Sequence, residues 1–534
     1  MPHKTKYIVV TGGVLSGLGK GIFTASLGKL LQSRGFNVVP IKIDPYMNVD
    51  AGTMNPIEHG EVFVLDDGSE VDMDLGTYER FLGINLRSEN NITTGKIYQK
   101  VIEKEREGKY LGKTVQIIPH ITDEIQNWLR KVAEDYKAEI VMIEIGGTVG
   151  DIENLVFLEA CRQFSLKEDV IFAHCTLVPM INVVGEQKTK PTQQSVQKLR
   201  EIGIMPHFLF CRSHEPLKPK IKEKLSLFCG VPEDHVISGP DLDSIYKVPL
   251  ILEEQNLTSK VLLKLGFSPK KRDMKEWEEL VNKMASAKKT VSIAITGKYT
   301  ELHDSYVSIM ESLKASCGKL GVKLAVKWIE TTDIENKKVK VPEALKGVDG
   351  IIVPGGFGPR GTEGKIECIR YARERKIPFL GLCYGFQLAT IEFARHVCGL
   401  QKANSTEIDP KTPHPVIDLL PWQRRIYKKG GTMRLGGHDV IIKKGTRANK
   451  IYGSSKARER FRHRWEFVPN YKEKIECKGL VFSGHDKSGK IMQILEMRNH
   501  PFFMASQFHP EFTTRVLKPN PLFLNFMKAA SNKM

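Results

Sequence analysis

The chain has 534 residues, 41% of them hydrophobic and 27% charged, which suits a globular protein of two or more domains, each able to bury a core. No segment approaches the roughly 18 uncharged apolar residues of a membrane-spanning helix, so no membrane partner is expected. Nine dispersed cysteines without a C-x-x-C argue for reduced thiols rather than a disulfide framework or zinc site. The opening "MPHKTKYIVV" enters a strand directly, without a secretory apolar core, and a cytoplasmic location is expected. The net charge of +18 fits nucleic acid, an anionic surface or polyanionic small molecules, and much of it is local: Arg424 to Arg464 holds fourteen Lys/Arg against Asp439 and Glu459. A solvated basic face explains that tract equally well.

The predicted elements begin with a strand in "KYIVVTGG", a glycine-rich turn, and a helix in "IFTASLGKLLQSRG" ending at Gly35. Strands follow in "FNVVPIKID", "EIVMIEIGG" and "HFLFCRS". Apolar runs alternating with helices indicate a parallel sheet. Residues 268–289, with a Ser-Pro opening, dense charge and one amphipathic helix, read as a linker between domains at 1–267 and 290–534. The pattern then restarts with strands in "TVSIAITGKY", "VKLAVKWIE", "DGIIVPGG" and "IPFLGLC". A helix, "PLFLNFMKAASNKM", closes the chain.

The first turn departs from the P-loop pattern G-x-x-x-x-G-K-[ST], in which the hydroxyl ligates Mg²⁺. Five residues separate Gly13 from Gly19-Lys20, and Gly21 stands where the hydroxyl belongs. A phosphate cradle here needs hard oxygen ligands from elsewhere, because Mg²⁺ prefers carboxylates, phosphates and water. Asp72 and Asp74 in "SEVDMDLGTYERF" and Glu144 near the end of the strand "VMIEI" are the candidates. A carboxylate in an apolar strand is costly unless partnered, and beyond the carboxyl end of a parallel strand it meets the same edge as the glycine loop. An ion pair with a lysine is the alternative for Glu144.

In the second half, Cys383 sits between strand and helix inside G-x-C-x-G, Gly381 to Gly385, the spacing of a nucleophile elbow. A buried structural cysteine is the plainer reading. Two other stretches favour the elbow. Gly355, Gly356 and Gly358 end a strand with bare backbone able to supply oxyanion donors. In "ASQFHPEF", His509 and Glu511 share one face of an extended chain, so Glu511 can orient the imidazole that takes the thiol proton.

G-x-C-x-G-x-Q with a distant H-P-E resembles the class I glutamine amidotransferases. The resemblance implies that Cys383 attacks the glutamine amide, releases ammonia and forms a glutamyl thioester that water hydrolyses. It also implies glutamine contacts from Gly356, Tyr384, Gly385, Phe386 and Gln387, with Glu407 and Arg464 recognising the α-amino and α-carboxylate groups. Nearly the whole chain resembles the CTP synthase family, through "TGGVLSGLGKG", "KIDPYMNVD", "GTMNPIEHGEVFV", "MDLGTYERF", "IEIGGTVGDIE", "GEQKTKPTQQSV", "DSIYKVP", "VPGGFG", "GGTMRLGG" and "QFHPEF". The fold implied is α/β in two domains: an N-terminal P-loop-like, dethiobiotin-synthetase-like parallel sheet and a C-terminal class I glutamine amidotransferase domain.

The reaction implied is amination of UTP to CTP. ATP phosphorylates O4 of the uracil, and ammonia displaces that phosphate at C4. Lys20 and Lys42 would neutralise charge on the transferring phosphoryl group while Asp74 and Glu144 hold Mg²⁺. The loop Ser16, Gly17, Leu18, Gly19, Lys20, Gly21 and Ile22 would cradle phosphates, with Leu242 in "SGPDLDS" on the adenine side. UTP and product CTP point to Ser16, to Lys188, Thr189, Lys190, Pro191, Thr192 and Gln193, to Lys224, and to Asp151, Ile152 and Glu153. The family further implies a homotetramer with UTP sites between subunits, inhibition by CTP, and activation by GTP through Arg360 and Gly430–Gly436. Filament assembly is left open.

Three departures stand out. Gly17 replaces a frequent serine, Pro240 stands where lysine is usual and removes a backbone donor, and the stretch between Trp422 and Gly430 is short. Two other readings compete: an amidotransferase of the cobyric acid type, and a non-enzymatic, nucleic-acid-binding or filament-scaffold ATPase suggested by the charge. "KTKPTQ" and "GTMNPIEHGEVFV" argue against the first. The lack of an aromatic-interleaved basic motif argues against the second, so no nucleic-acid partner is expected.

Overall fold

The structure is a computed structural model and describes residues 4–55, 60–181, 185–268, 270–297, 303–420, 423 and 432–532. The chain forms two compact units, one of Met1–Ala51 and Asp74–Glu278, the other of Gly52–Met73 and Glu279–Met534. The second unit therefore takes in a segment from the first half of the sequence. The stretch read as a linker contains the helix Lys275–Ala285.

Seven strands build the sheet of the first unit: β1 Lys6–Gly12, β2 Val38–Asp44, β3 Asn91–Thr93, β4 Ile140–Ile145, β5 Val170–Leu177, β6 Phe208–Ser213 and β7 Val236–Pro240. Their order is β7-β6-β5-β1-β4-β2-β3, and every neighbouring pair is parallel. All residues of β2 and β4 are buried, as strands covered on both faces must be, and their sequences run apolar accordingly. Helix α1, Lys20–Ser33, follows β1 directly and begins two residues before the expected Ile22. Its N-cap, Gly19, has φ 83°, a conformation that glycine adopts without a Cβ penalty. Two more helices matter below: α2, Met73–Leu82, and α3, Lys190–Glu201. The parallel register sets β1, β2 and β4 level, with Val10 opposite Glu144 and Lys42 opposite Glu144. Their carboxyl ends thus form one edge, below the glycine loop.

The second unit carries nine strands in one sheet: β8 Thr290–Gly297, β9 Lys323–Glu330, β10 Gly350–Val353, β11 Phe379–Leu382, β12 Arg434–Ile442, β13 Lys456–His463, β14 Leu480–His485, β15 Met492–Met497 and β16 Phe503–Ser506. The order is β9-β8-β10-β11-β16-β15-β14-β12-β13. Pairs from β9 to β16 are parallel, and those from β16 to β13 are antiparallel. The antiparallel half was not anticipated, because its strands mix charged and apolar residues. Helix α4, Tyr384–His396, leaves the end of β11 and lies in a core with Phe379, Phe386, Phe482 and Phe503. Parallel pairing of Leu382 with Ser506 brings the ends of β11 and β16 side by side.

Candidate active site

At the sheet edge of the first unit, Lys42 projects from β2 between two carboxylates. Its Nζ donates to Asp74 and, at 2.9 Å, to Glu144 Oε1. Asp44 Oδ1 lies 3.9 Å away. The Tyr78 hydroxyl, one helical turn beyond Asp74 on α2, donates to the other oxygen of Glu144. Burial pushes the Glu144 carboxyl up, the Asp74 charge adds to the rise, and Lys42 opposes it. Burial likewise raises Asp44, against the pull of Lys42 and the Asn91 amide.

Glu144, 1% exposed, thus has both the lysine partner that its burial requires and a place at the sheet edge. A Cβ added to Gly21 would meet Asp74 Oδ1 at 2.2 Å. The position that carries the hydroxyl in a P-loop is bare because the Asp74 carboxylate fills the space. Two hard oxygen donors flanking an ammonium fit a hard cation, with phosphate and water left to complete the shell. No cluster of three or more His, Cys, Asp or Glu placed for a metal occurs among the described residues.

Lys20 donates from Nζ to the Gly147 carbonyl at 2.9 Å, which ties the glycine loop to the end of β4. Ser16 and Gly17 are exposed, while Leu18 is buried and Ile22 half-buried. The loop borders a cavity of about 400 Å³ with Leu177, Arg212, Ser213 and Asp241. Arg212 donates to the Gly239 and Pro240 carbonyls, each at 3.0 Å, and to Asp241 at 2.6 Å. Leu242, half-buried, follows.

Asp151, Ile152 and Glu153 lie exposed just after β4, where Asp151 accepts from Thr148 N at 2.7 Å. Lys188 pairs with Glu186 at 2.5 Å. Thr189 caps α3 in position, and Lys190 and Pro191 open that helix, with Lys190 exposed. Gln193 turns back to Thr189 Oγ1 at 2.9 Å. Thr192 points inward and donates to the Leu177 carbonyl at 2.9 Å, so it anchors the helix and offers nothing to a ligand. Lys224 is exposed on the separate helix Pro219–Cys229. Asp44, Tyr78 and Arg212 escaped the sequence reading. Asp44 stood inside the quoted "KIDPY", and its place one strand pair from Glu144 was the available signal.

In the second unit Cys383 has φ 49° and ψ −94°, a strained turn for a residue with a side chain. The flanking glycines make it feasible: a Cβ on Gly385 would stand 2.2 Å from the Val353 carbonyl oxygen, and one on Gly381 would stand 2.8 Å from that of Gly385. The Cys383 thiol, 5% exposed, donates to the Arg462 carbonyl at 3.6 Å and accepts from the Gln507 amide at 3.6 Å.

His509 leaves the neighbouring strand β16 and holds Glu511 Oε1 at 2.7 Å through Nδ1. Its Nε2 is buried and makes no hydrogen bond in this geometry, which leaves it for the Cys383 sulfur. Burial alone would lower the imidazole pKa, but the charges of Glu511 and Cys383 outweigh it and hold the ring at about 10. A carboxylate-held imidazole beside a cysteine sulfur is the base–nucleophile arrangement of acyl-transfer chemistry.

Gly355 packs against both groups, since a Cβ there would meet His509 Cε1 at 2.9 Å and Cys383 Cβ at 3.7 Å. The exposed Gly356 follows it. The Tyr384 hydroxyl bonds Thr362 Oγ1 at 2.7 Å and the Gly358 carbonyl at 2.9 Å, which pins this glycine loop over the elbow. Gln387 donates to the Trp465 carbonyl at 3.0 Å, whereas Phe386 belongs to the apolar core. Glu407 accepts from Gly358 N at 3.1 Å. Arg464 donates to Gln423 at 2.6 Å and to Thr432 at 3.0 Å. Gln507 was overlooked although it lies two residues from His509, because nothing in an isolated sequence says which glutamine faces a thiol. Arg360 donates to Thr332 at 3.4 Å. Gly430 and Gly431, and most of the short stretch after Trp422, lie outside the described residues.

Comparison with known proteins adds a separate line. The family described as CTP synthase N-terminus matches residues 6–267, and glutamine amidotransferase class-I matches residues 301–529. The CTP synthase of Archaeoglobus fulgidus is 57% identical over 528 residues, 98% of each chain. That of Sulfolobus acidocaldarius is 54% identical over 529 residues, covering 99% of this chain and 100% of its own. The solved glutaminase domain of Trypanosoma brucei CTPS with bound acivicin is 36% identical, with a TM-score of 0.42, and covers 46% of this chain and 95% of its own.

Proposed function

The chain belongs to the CTP synthase family, and on that premise we propose how its residues divide the work between its two units. As a member it is an enzyme that aminates UTP to CTP with ATP and glutamine as co-substrates, a step of pyrimidine nucleotide biosynthesis.

In the second unit, the Cys383 thiolate attacks the glutamine amide carbon. His509, protonated, gives its proton to the departing ammonia, and Glu511 keeps the ring oriented and charged. The glycine loop at Gly355 and Gly356 and the backbone after Cys383 stabilise the oxyanion. Water then releases glutamate from the thioester. Glu407 and Arg464 are suited by charge to the α-amino and α-carboxylate groups, and Tyr384, Gly385 and Gln387 shape the pocket around them.

In the first unit, the loop from Ser16 to Gly19, exposed at Ser16 and Gly17, and the start of α1 receive the ATP phosphates, because unpaired N–H groups at a helix start favour anions. The cavity beside Arg212, Asp241 and Leu242 takes the nucleoside end. Asp74 and Glu144 would hold Mg²⁺, which when bound would supply charge neutralisation on the phosphates. Lys20 and Lys42 carry the remaining positive charge, and Lys42 must leave its present place between the carboxylates when a cation takes it. The uracil O4 is a poor leaving group until it is phosphorylated, after which ammonia can displace it at C4. UTP, and CTP as inhibitor, are assigned to Ser16, Asp151 to Glu153, the Lys188–Gln193 run other than the inward Thr192, and Lys224. GTP is assigned to Arg360 and the segment ending at Gly436, the assembly is a homotetramer, and the location is cytoplasmic.

The observation that carries this reading is the Cys383–His509–Glu511 set at one sheet edge. Its test is Cys383→Ala. Glutamine-dependent CTP formation should fall by several orders of magnitude, as loss of a nucleophile does. Ammonia-dependent CTP formation at alkaline pH should persist. Equal loss of both reactions in a folded variant would refute the division of labour.

A further inference from the structure

The segment that the second unit takes from the first half of the sequence lies directly behind the amidase residues. Residues Phe63–Val64 and Glu70–Val71 form a two-stranded ribbon, closed by Leu65 N to Ser69 O at 2.9 Å. Strand β13 presents Arg458, Arg460 and Arg462, alternate residues on one face, and all three are spent on this ribbon. Arg458 holds both oxygens of Asp66, at 2.9, 3.0 and 2.8 Å. Arg460 donates to the Val64 carbonyl at 3.0 Å and lies 5.5 Å over the Phe63 ring. Arg462 donates to Glu70 at 2.7 Å, and the Glu70 side chain is 2% exposed. On the next strand, Gly437 N donates to the Asp66 carbonyl at 2.8 Å. A Cβ on Gly436 would meet Gly68 N at 2.5 Å, so the approach admits only glycine.

The same stretch of β13 holds the reacting groups through its backbone. The Arg460 carbonyl accepts from His509 N at 2.8 Å, and the Arg462 carbonyl accepts from the Cys383 thiol at 3.6 Å. A second route runs through rings. Phe63 packs edge-on against Phe512 at 5.0 Å, and Phe512 stacks on the His509 imidazole at 5.0 Å and 16°. The ribbon's carboxylates therefore fix the side chains of a strand whose carbonyls fix the cysteine and the histidine.

We propose that the ribbon is a positioning element for glutamine hydrolysis, with Glu70 and Asp66 as positioning residues acting on Cys383 and His509 through Arg462 and Arg458. Its sequence belongs to the half that uses the ammonia: only Asp72 separates Val71 from α2, which carries Asp74. One short run of chain thus bears both a support of the amidase pair and a carboxylate of the phosphate site. The proposal rests on the roles given above to Cys383 and His509, and those roles stand or fall separately with Cys383→Ala.

The test uses the full-length chain with Glu70→Gln and with Asp66→Asn. Glutamine hydrolysis should lose about tenfold in kcat in Glu70→Gln, and less in Asp66→Asn, which is more exposed. The fall in kcat should exceed any change in the KM for glutamine, because Glu407 is untouched and Glu70 reaches Arg464 only through its charge. Ammonia-dependent CTP formation should remain within twofold of the parent. The exchange Asp66→Arg with Arg458→Asp should recover most of the kcat lost in Asp66→Arg alone, which a merely destabilised fold would not do. Unchanged glutamine turnover in Glu70→Gln would overturn the proposal. So would an equal fall of the ammonia reaction, which would assign the ribbon's effect to α2 and Asp74, and so would failure of the exchange to recover activity.

Discussion

Cys383 and His509 illustrate how single residues are tuned here. The cysteine accepts an unfavourable backbone so that its sulfur leaves the sheet, and the histidine gains a carboxylate that keeps it charged despite burial. His509 holds its proton more tightly folded, at about 10, than an unfolded histidine does near the ordinary value of 6.5. Its contribution to stability is therefore complete below about 6.5 and is lost as pH rises through about 10. Urea unfolding between pH 6 and pH 10.5 should show a decline at the alkaline end that Glu511→Gln largely removes. A parallel decline in both proteins would separate Glu511 from the histidine's charge. Glu144 shows the opposite tuning, since burial favours its neutral form while Lys42, the Tyr78 hydroxyl and Lys20 support its charge. A lysine partner and a cation ligand are thus compatible roles for one carboxylate.

At the scale of elements, both candidate sites use a strand, a glycine turn and a helix, with different demands on the glycines. Gly385 and Gly381 are small because neighbouring carbonyls come within van der Waals reach. Gly21 is small because a carboxylate from α2 occupies the space beside α1. Gly21→Ala should push Asp74 away and reduce CTP formation by about 10²-fold, as displacements of about 1 Å at reacting groups do. The loss should be equal with glutamine and with ammonia, while glutamine hydrolysis itself is spared. Steady-state rates with both nitrogen donors decide this. A variant with normal rates would mean that Asp74 relaxes freely and that α1 and α2 are not in register for the chemistry.

For the whole molecule, part of the basic charge acquires a specific use in β13, where Arg458 and Arg462 are neutralised by Asp66 and Glu70 of a ribbon from far away in sequence and Arg460 is held by its Val64 carbonyl. The exposed start of α3 is a different case. Lys190 stands at its first turn with no acid in that turn, as expected for a lysine that meets a triphosphate or another subunit. Lys190→Ala should raise the KM for UTP about tenfold, the scale of one lost charge-assisted contact of about 1.4 kcal/mol. It should also weaken the proposed tetramer in sedimentation at low protein concentration. Unchanged UTP dependence together with an unchanged assembly would make Lys190 a solvated surface residue.

Local chemistry made much of this legible in the sequence. Apolar runs of strand length mark β1, β2, β4, β6 and β8 to β11, since a strand covered on both faces cannot carry solvated side chains, and glycine spacing marks the two turns; β3, β5, β7 and β16 were not read from the sequence. H-x-E paired His509 with Glu511, although the two meet through a 3-10 turn at Pro510–Thr513 and not along the extended stretch expected. The resemblance of long motifs named the family, because local motifs carry the glycine-rich loop and the cysteine elbow whole. Tertiary structure decided what depends on residues far apart. The antiparallel half of the second sheet has mixed faces and no simple period. Asp74 fills the space beside Gly21 from 53 residues away, counting from position 21 to position 74. Gln507 faces the thiol only because β16 lies beside β11. Residues 52–73 leave their own half of the sequence because Asp66 and Glu70 find arginines on β13, and no local propensity encodes a partner nearly four hundred residues on.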